Sequence, residues 1–431
     1  MKTLFKNARL LPEYGYADKP VFIAVNGSYI AKISDEALGE CEYDTIVDCR
    51  GNLLIPAFYN AHCHVAMTLF RGFGEDLPLA DWLEKKIFPA EDRLTYERVF
   101  LGSKLGIAEM IRAGIVSFTD MYMFEDAVAD AVLETGIKAN LSRSIASFDE
   151  SIGPENDYRL KESIKLYDTY HGAGEGRVLV DFALHAEYTN HARACRYVAE
   201  EAKKRDLRMQ VHLSETKKEH EECKARRGGK TPAEFFLDCG VFDLPTTAAH
   251  CVWVEDSDLD IFLDKKVFVA HNPVSNLKLG SGVMPLAKFL RRGVSVALGT
   301  DGAASNNRLD LLRELQIAAL LDKGTTGNPA GHTAKELFPL ATENGALSQG
   351  RTDCGRIEEG KRADLVLLNL NSLHNQPVYD PYATLTYSMG REDVLLTMAD
   401  GRILYQNGEY TSIDEERLKY EFQKTVAHYF D

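Results

Sequence analysis

From GNLLIPAFYNAH, starting at Gly51, the chain alternates eight times between a short apolar run and a helical pattern. The later runs are IVSFTDMY, IKANLSRS, RVLVDFALHAEYT, RMQVHLSET, TTAAHCVWV, VFVAHNP and VSVALGTDG. The stretches between them read as helices. TYERVFLGSKLGIAEMIRAG stops at Gly114, a good C-cap residue, and others are YRLKESIKLYDTYHG, NHARACRYVAEEAKKRDL, TPAEFFLDCG, DSDLDIFLDKK and MPLAKFLRRG. Strands separated by helices must run parallel with right-handed crossovers. Eight such units in about 290 residues predict an α/β chain closed into a (β/α)₈ TIM-type barrel. A doubly wound open sheet competes, but no G-x-G-x-x-G follows any strand.

The flanks differ. TLFKNARLLP, PVFIAVNGSYIAKIS and YDTIVDCRG precede the barrel and are strand-rich. The pattern turns β again after Gly350, in GRIEEGKRADLVLLNL and VLLTMADGRILYQNGEY. The two ends are therefore expected to meet in one small β-sandwich domain, from residues 1–55 and 351–411, beside a barrel spanning 56–350. A terminal helix is expected over 412–431, with Ser412 and Glu415 forming an S-x-x-E capping box.

With 431 residues the chain is long enough for a large domain and a smaller one. No apolar run reaches membrane-spanning length, and MKTLFKNARLLPEYG is too short and too interrupted by charge for a secretion signal. A cytoplasmic location without membrane association is expected. The net charge of −15 and the lack of a basic face argue against nucleic acid as a partner and leave small molecules. An acidic barrel protein of this size is a candidate homo-oligomer. The eight cysteines form no C-x-x-C pair, so reduced thiols are expected, with Cys63 and Cys251 as small buried side chains.

The C-terminal ends of barrel strands face the βα loops, where the chemistry of such folds sits. The expected ends carry His62 and His64, Asp120, Arg143, His185, His212 with Glu215, His250, His271 and Asp301. Histidine is rare here, 12 of 431 residues, yet six of the twelve fall at these points. Each alone reads as an ordinary hydrogen-bonded residue. A barrel, however, brings all strand ends to one face. His62 and His64, two apart on a strand, point to the same side. Imidazole nitrogens suit Zn²⁺ or Fe²⁺, and a carboxylate adds a hard oxygen. His62, His64, His212 and Asp301 would then form a metal site with room for water.

NAHCHVAMTLFRG, VHLSET, HCVW, HNPVSNLKLGSG and GTDGAASNN together resemble the amidohydrolase superfamily, in particular its branch of S-adenosylhomocysteine/5′-methylthioadenosine deaminases and related chlorohydrolases. The likeness runs nearly end to end. It implies one divalent metal, Zn²⁺ by default with Fe²⁺ or Mn²⁺ as alternatives, held by His62, His64, His212 and Asp301. Relatives with two metals use a carbamylated lysine on strand four; RVLVDFALHAEYT has none. The implied reaction is hydrolytic deamination of an adenosine-type nucleoside (S-adenosylhomocysteine, 5′-methylthioadenosine, 5′-deoxyadenosine or adenosine). Asp301 would take a proton from the attacking water, His250 would orient that water, and Glu215 would protonate a ring nitrogen.

The resemblance also implies substrate contacts. Glu91 in PAEDRLT matches a glutamate that contacts ribose hydroxyls. Arg143 in ANLSRS and Arg159 in RLKESIKLY match arginines that suit the carboxylate of S-adenosylhomocysteine, and His185 matches a histidine ending strand four. Around His185 the branch reads G-P-H-S-P-Y where this chain reads ALHAEY, so the loop touching the nucleoside departs from the pattern. His271, in the HNP turn, is read as structural or as a support behind the metal-binding residues, its role left open. The alternatives are a chlorohydrolase or a guanine- or pterin-type deaminase on the same scaffold, and, from another class, a non-catalytic scaffold. The scaffold reading expects lost ligands, and none is lost. The small cytidine-deaminase type needs H-x-E and P-C-x-x-C, which are absent.

Overall fold

The computed structural model describes residues 1–16, 19–427 and 429. At its centre eight parallel strands form a nearly closed barrel: Phe58–Cys63 (β1), Ile115–Tyr122 (β2), Lys138–Ile145 (β3), Phe182–Leu184 (β4), Met209–Leu213 (β5), Thr246–His250 (β6), Phe268–His271 (β7) and Val296–Leu298 (β8). Each pairs in parallel with its neighbours in chain order. The seam between β8 and β1 is stitched just past the strand end. The Thr300 and Asp301 N–H groups donate to the His62 carbonyl at 3.1 and 3.0 Å. The Asn60 amide bonds the Thr300 hydroxyl at 2.7 Å and accepts the Thr300 N–H at 3.0 Å.

The expected eight-fold alternation is present, with one interruption. The fourth strand is broken: Val178–Val180 pairs with β3, Asp181 intervenes, and β4 then lies between β3 and β5. At the break the Asp181 N–H still donates to the Leu141 carbonyl at 3.0 Å, and its buried carboxylate accepts from Asn140 at 3.1 Å and Gln210 at 3.0 Å.

Helices cover the outside. Thr95 caps the helix Tyr96–Arg112 by accepting the Arg98 N–H, and Gly114 follows it at φ +78. Two helical stretches escape a periodicity argument. Lys217–Arg226, capped by Thr216, is charged on nearly every side, and Leu79–Glu91 is one helical stretch whose middle, Leu83–Ile87, widens to π-helix.

Two further sheets flank the barrel. Lys2–Ala8, Val21–Asn26, Tyr29–Ser34 and Thr45–Asp48 form one. Leu53–Pro56 joins Leu365–Leu368, Val394–Ala399, Arg402–Gln406 and Glu409–Tyr410 in the other, so strands from both ends of the chain share a sheet. Strand alternation gives this second sheet two buried faces. Leu54, Leu365 and Leu367 pack against Phe5, Ile23 and Val25 of the first sheet. Leu53, Ile55, Val366 and Leu368 face the barrel's own core. At that junction Lys138, at the start of β3, is buried and paired with Asp364, which also accepts the Tyr59 hydroxyl. The helix Pro381–Tyr387, within the stretch expected to be β, packs on the barrel side, where Gln316 donates to the Tyr387 carbonyl at 2.9 Å.

The terminal helix runs Glu415–Ala427, and residues 428, 430 and 431 of its expected span lie outside the described residues. The expected capping box is corrected. Asp414 is the cap, accepting the Arg417 N–H at 2.9 Å, while the Ser412 hydroxyl donates instead to the Thr135 carbonyl at 2.7 Å. Cys63 and Cys251 are buried as expected, and the eight cysteines carry no disulfide. Among the described residues no helix is long and apolar enough to cross a membrane.

Candidate active site

The barrel's C-terminal mouth gathers the singled-out side chains. His62 and His64 leave the end of β1, His212 is on β5, and Asp301 follows β8. Asp301 Oδ1 lies 3.2 Å from His64 Nε2 and 3.7 Å from His62 Nε2, and the Nε2 atoms of His64 and His212 are 3.4 Å apart. The His62 ring sits 4.9 Å from those of His64 and His212, and 5.5 Å from that of His250.

The surrounding backbone aims these rings. His64 Nδ1 donates to the Met121 carbonyl at 2.7 Å, and His212 Nδ1 to the His185 carbonyl at 2.8 Å. In its neutral form each ring turns a bare Nε2 to the centre. His250 Nδ1 likewise donates to Asn276 Oδ1 at 2.8 Å. Asp301 is split: Oδ2 accepts the hydroxyls of Ser275 at 2.5 Å and Ser305 at 2.8 Å, and Oδ1 is turned to the histidines. Strain is concentrated here. Ser214, His250, Cys251 and Asp301 all carry positive φ at or just past strand ends, conformations that cost about 1–3 kcal/mol each for such residues. Gly299 is required by close approach, since a Cβ there would meet Asn272 Oδ1 at 2.3 Å and the His62 Cβ at 3.0 Å.

The electrostatics favour a cation. Burial, with neighbouring imidazoles, holds His62 and His212 well below the usual histidine value. Burial also pulls on His64, but the hydrogen bond and charge of Asp301 win and raise it to about 9. Burial would raise Asp301, yet the His64 hydrogen bond and the histidine charges hold it well below the usual carboxylate range. His62 Nε2 is buried and, among the described residues, has no hydrogen-bond partner. Donor atoms of His62, His64 and His212 lie within 4.8 Å of one another, as do those of His62, His250 and Asp301. Three imidazole nitrogens and a carboxylate oxygen around one orphaned acceptor fit a divalent metal of the Zn²⁺ type.

Above them opens a cavity of about 430 Å³. Of the residues singled out as metal, catalytic or substrate candidates, all but His62 line it; His62 lies beneath. Glu215 Oε1 accepts the Ser281 hydroxyl at 2.9 Å, and Oε2 is 3.8 Å from His250 Nε2. Glu91 accepts the Tyr122 hydroxyl at 2.7 Å, and burial, partly offset by that bond, raises its carboxyl to about 7. Arg143 and Arg159 flank the Tyr158 ring, 6.0 and 4.4 Å from its centroid, and Arg143 Nε donates to Glu162 at 2.7 Å. His185 packs edge-on against His212 at 4.9 Å, and burial with the charge of His64 lowers it to about 4. Two strand-end residues stand apart. Asp120 Oδ1 accepts the Val65 N–H at 2.7 Å, and His271 is buried outside the cavity. The outer wall, from Leu79 to Phe88 with Trp82, has no counterpart among the sequence candidates; its helix widens to a π turn at Leu83–Ile87, which breaks the 3.6-residue period. Asn276 and Ser281 stand inside HNPVSNLKLGSG, but only the fold reveals their contacts.

The sequence matches the Amidohydrolase family over residues 53–404. It is 43% identical over 395 residues to a 5-methylthioadenosine/S-adenosylhomocysteine deaminase of Dictyoglomus thermophilum, covering 92% of this chain and 91% of that one. It is 40% identical over 427 residues to a 5′-deoxyadenosine deaminase of Methanosarcina mazei, covering 98% and 97%. Among solved structures, an adenosine deaminase from Xanthomonas campestris with bound zinc superposes with a TM-score of 0.91 at 29% identity, covering 99% of this chain and 98% of that one.

Proposed function

The chain belongs to the amidohydrolase family, and from that premise we propose that it deaminates adenosine-type nucleosides hydrolytically, with S-adenosylhomocysteine, 5′-methylthioadenosine, 5′-deoxyadenosine and adenosine as the candidate substrates. One observation carries the reading: His62, His64, His212 and Asp301 converge beside Glu215 and His250, under walls that bear Glu91, Arg143, Arg159 and His185.

His62, His64, His212 and Asp301 would hold one divalent cation, Zn²⁺ first, with Fe²⁺ or Mn²⁺ suited to the same donors. When bound, it supplies the Lewis acidity that brings the pKa of water down toward about 7. Asp301 accepts the proton of the attacking water, Ser275 and Ser305 having fixed its other oxygen. His250 holds that water at Nε2, since its Nδ1–H is committed to Asn276. Glu215, oriented by Ser281, gives a proton to ring N1 of the adenine and makes C6 electrophilic. The C6–O bond forms, Asp301 passes its proton to the amino group, and the C6–N bond breaks to release ammonia. The hydroxyl proton returns to Glu215 as the C6 carbonyl forms, leaving the hypoxanthine base.

Farther out, Glu91 accepts from the ribose hydroxyls, and His185 packs beside the nucleoside. Arg143 and Arg159 line the cavity, and both could donate to a carboxylate on the 5′ substituent. These four walls favour an adenosine-like ligand over a triazine or a free guanine. The test is a substrate panel on metal-loaded protein, followed by loss of adenine absorbance and by ammonia release. Turnover of at least one adenosine derivative is expected, with Arg159→Met losing more on S-adenosylhomocysteine than on adenosine. Turnover of guanine or a chlorotriazine with none of any adenosine derivative defeats the proposal.

A further inference from the structure

Glu187 has no part in the chemistry just described, yet its side chain is fully buried. It sits in the loop after β4, two residues past His185 and one before Tyr188, both of which line the cavity. Its Oε2 accepts from Arg226 at 2.6 Å and its Oε1 from Arg227 Nε at 2.7 Å. Arg227 also donates to the Asn190 carbonyl at 3.2 Å and stacks over Phe235 at 4.3 Å. The loop is tied at its far end as well: Asn190 donates to the carbonyls of Ile145 at 3.0 Å and Ala186 at 3.1 Å.

Both arginines end the helix Lys217–Arg226, and the other end of that helix serves Glu215. Glu219, in its first turn, accepts the N–H of Ser214 at 2.9 Å and of Glu215 at 2.8 Å. The helix is thus a rod of about 15 Å with a carboxylate clamp at each end. One clamp fixes the backbone of Glu215; the other fixes the loop that carries His185 and Tyr188. A buried carboxylate cannot leave two guanidinium partners cheaply, because a broken buried pair strands its charge.

Resting on the deaminase reading above, we infer that Glu187 is a positioning residue: its pairing with Arg226 and Arg227 sets the nucleoside-contacting loop at a fixed distance from Glu215. Proline would stiffen the loop through its own backbone; here the stiffness comes from across the fold. The substitution Glu187→Pro is compatible with the backbone, because Glu187 opens a helical turn and Ala186 is extended at φ −158, ψ 173.

The experiment compares wild type, Glu187→Gln and Glu187→Pro, all metal-loaded and checked for folding by thermal melting. Three readouts are taken: amide hydrogen exchange of residues 186–190, inosine binding by quenching of Trp82 in the cavity wall, and KM and kcat on 5′-deoxyadenosine. Glu187→Gln should exchange faster in the loop and bind inosine about tenfold more weakly, with KM rising more than kcat falls. Glu187→Pro should recover most of the lost binding. Unchanged exchange and binding in Glu187→Gln overturns the inference. So does a lowered melting temperature with KM unmoved, which is the mark of a merely structural pair. Because exchange is read without turnover, a wild type inactive on every adenosine derivative would strike the deaminase reading and leave the loop measurement standing.

Discussion

His64 and His212 bring their Nε2 atoms within 3.4 Å of each other although 148 residues separate them in the chain. Both rings have given their other nitrogen to a carbonyl, so two lone pairs meet with nothing between them but the Asp301 carboxylate nearby. Such an arrangement is stable only around positive charge. Without a metal, His64 supplies it by holding a proton.

Stripping the metal should therefore abolish ammonia release, and one equivalent of Zn²⁺ should restore it. His212→Ala should bind metal poorly and lose at least about a hundredfold in activity. Metal content by elemental analysis, measured beside turnover, decides the matter; full activity after exhaustive chelation rejects the assignment.

Glu215→Gln keeps the shape of the side chain but removes the proton it would deliver. It should retain metal and fold normally, with kcat reduced about 10²- to 10⁴-fold. Normal deamination by this variant would assign the proton transfer to another group.

Glu91 yields a pH signature. Burial raises its carboxyl from the ordinary 4.5 to about 7, so it is neutral in acid and ionised above that point. An ionised acceptor binds ribose hydroxyls better, so KM should fall as pH rises through about 7. The sign for stability is opposite. A raised carboxyl pKa means the folded state resists ionisation, so this group's contribution declines from its unfolded pKa of 4.5 up to about 7 and then levels off. Glu91→Gln should flatten the KM profile. A wild-type KM with no inflection near neutrality contradicts the assigned role.

Lys138 tests the junction between barrel and flanking sheet. Lys138→Met leaves Asp364 buried without its cation, a loss of about 3–5 kcal/mol. Urea unfolding should register it while kcat in the surviving folded protein stays unchanged. A shift below about 1 kcal/mol would put the pair among those with no net contribution.

The barrel was legible in the sequence because its signal is repetitive: one apolar run per helix, eight times. The metal candidates were legible because histidine is scarce, and finding it at strand ends is improbable by chance. What stayed hidden has physical causes. The helix Lys217–Arg226 has too few apolar residues for a periodic face, and its partner Glu187 lies 39 residues before Arg226. Asn276 and Ser275 look like ordinary helix residues until the fold turns them onto His250 and Asp301. Ser412 fitted a capping pattern, but a tertiary acceptor, the Thr135 carbonyl, competed for its hydroxyl and left Asp414 to cap. Local rules fail where a distant carbonyl or carboxylate offers a better bond.

Leu53–Pro56 pairs with Leu365–Leu368, and nearby Tyr59 reaches Asp364 across 305 residues of sequence. On the ribosome, the early apolar strand must wait for its partner while roughly 310 further residues are made, about 15–60 s at typical elongation rates. Until then its edge is open to any other nascent chain. Crowded expression should therefore harm this protein through that interval, well before any folded molecule exists to be unstable.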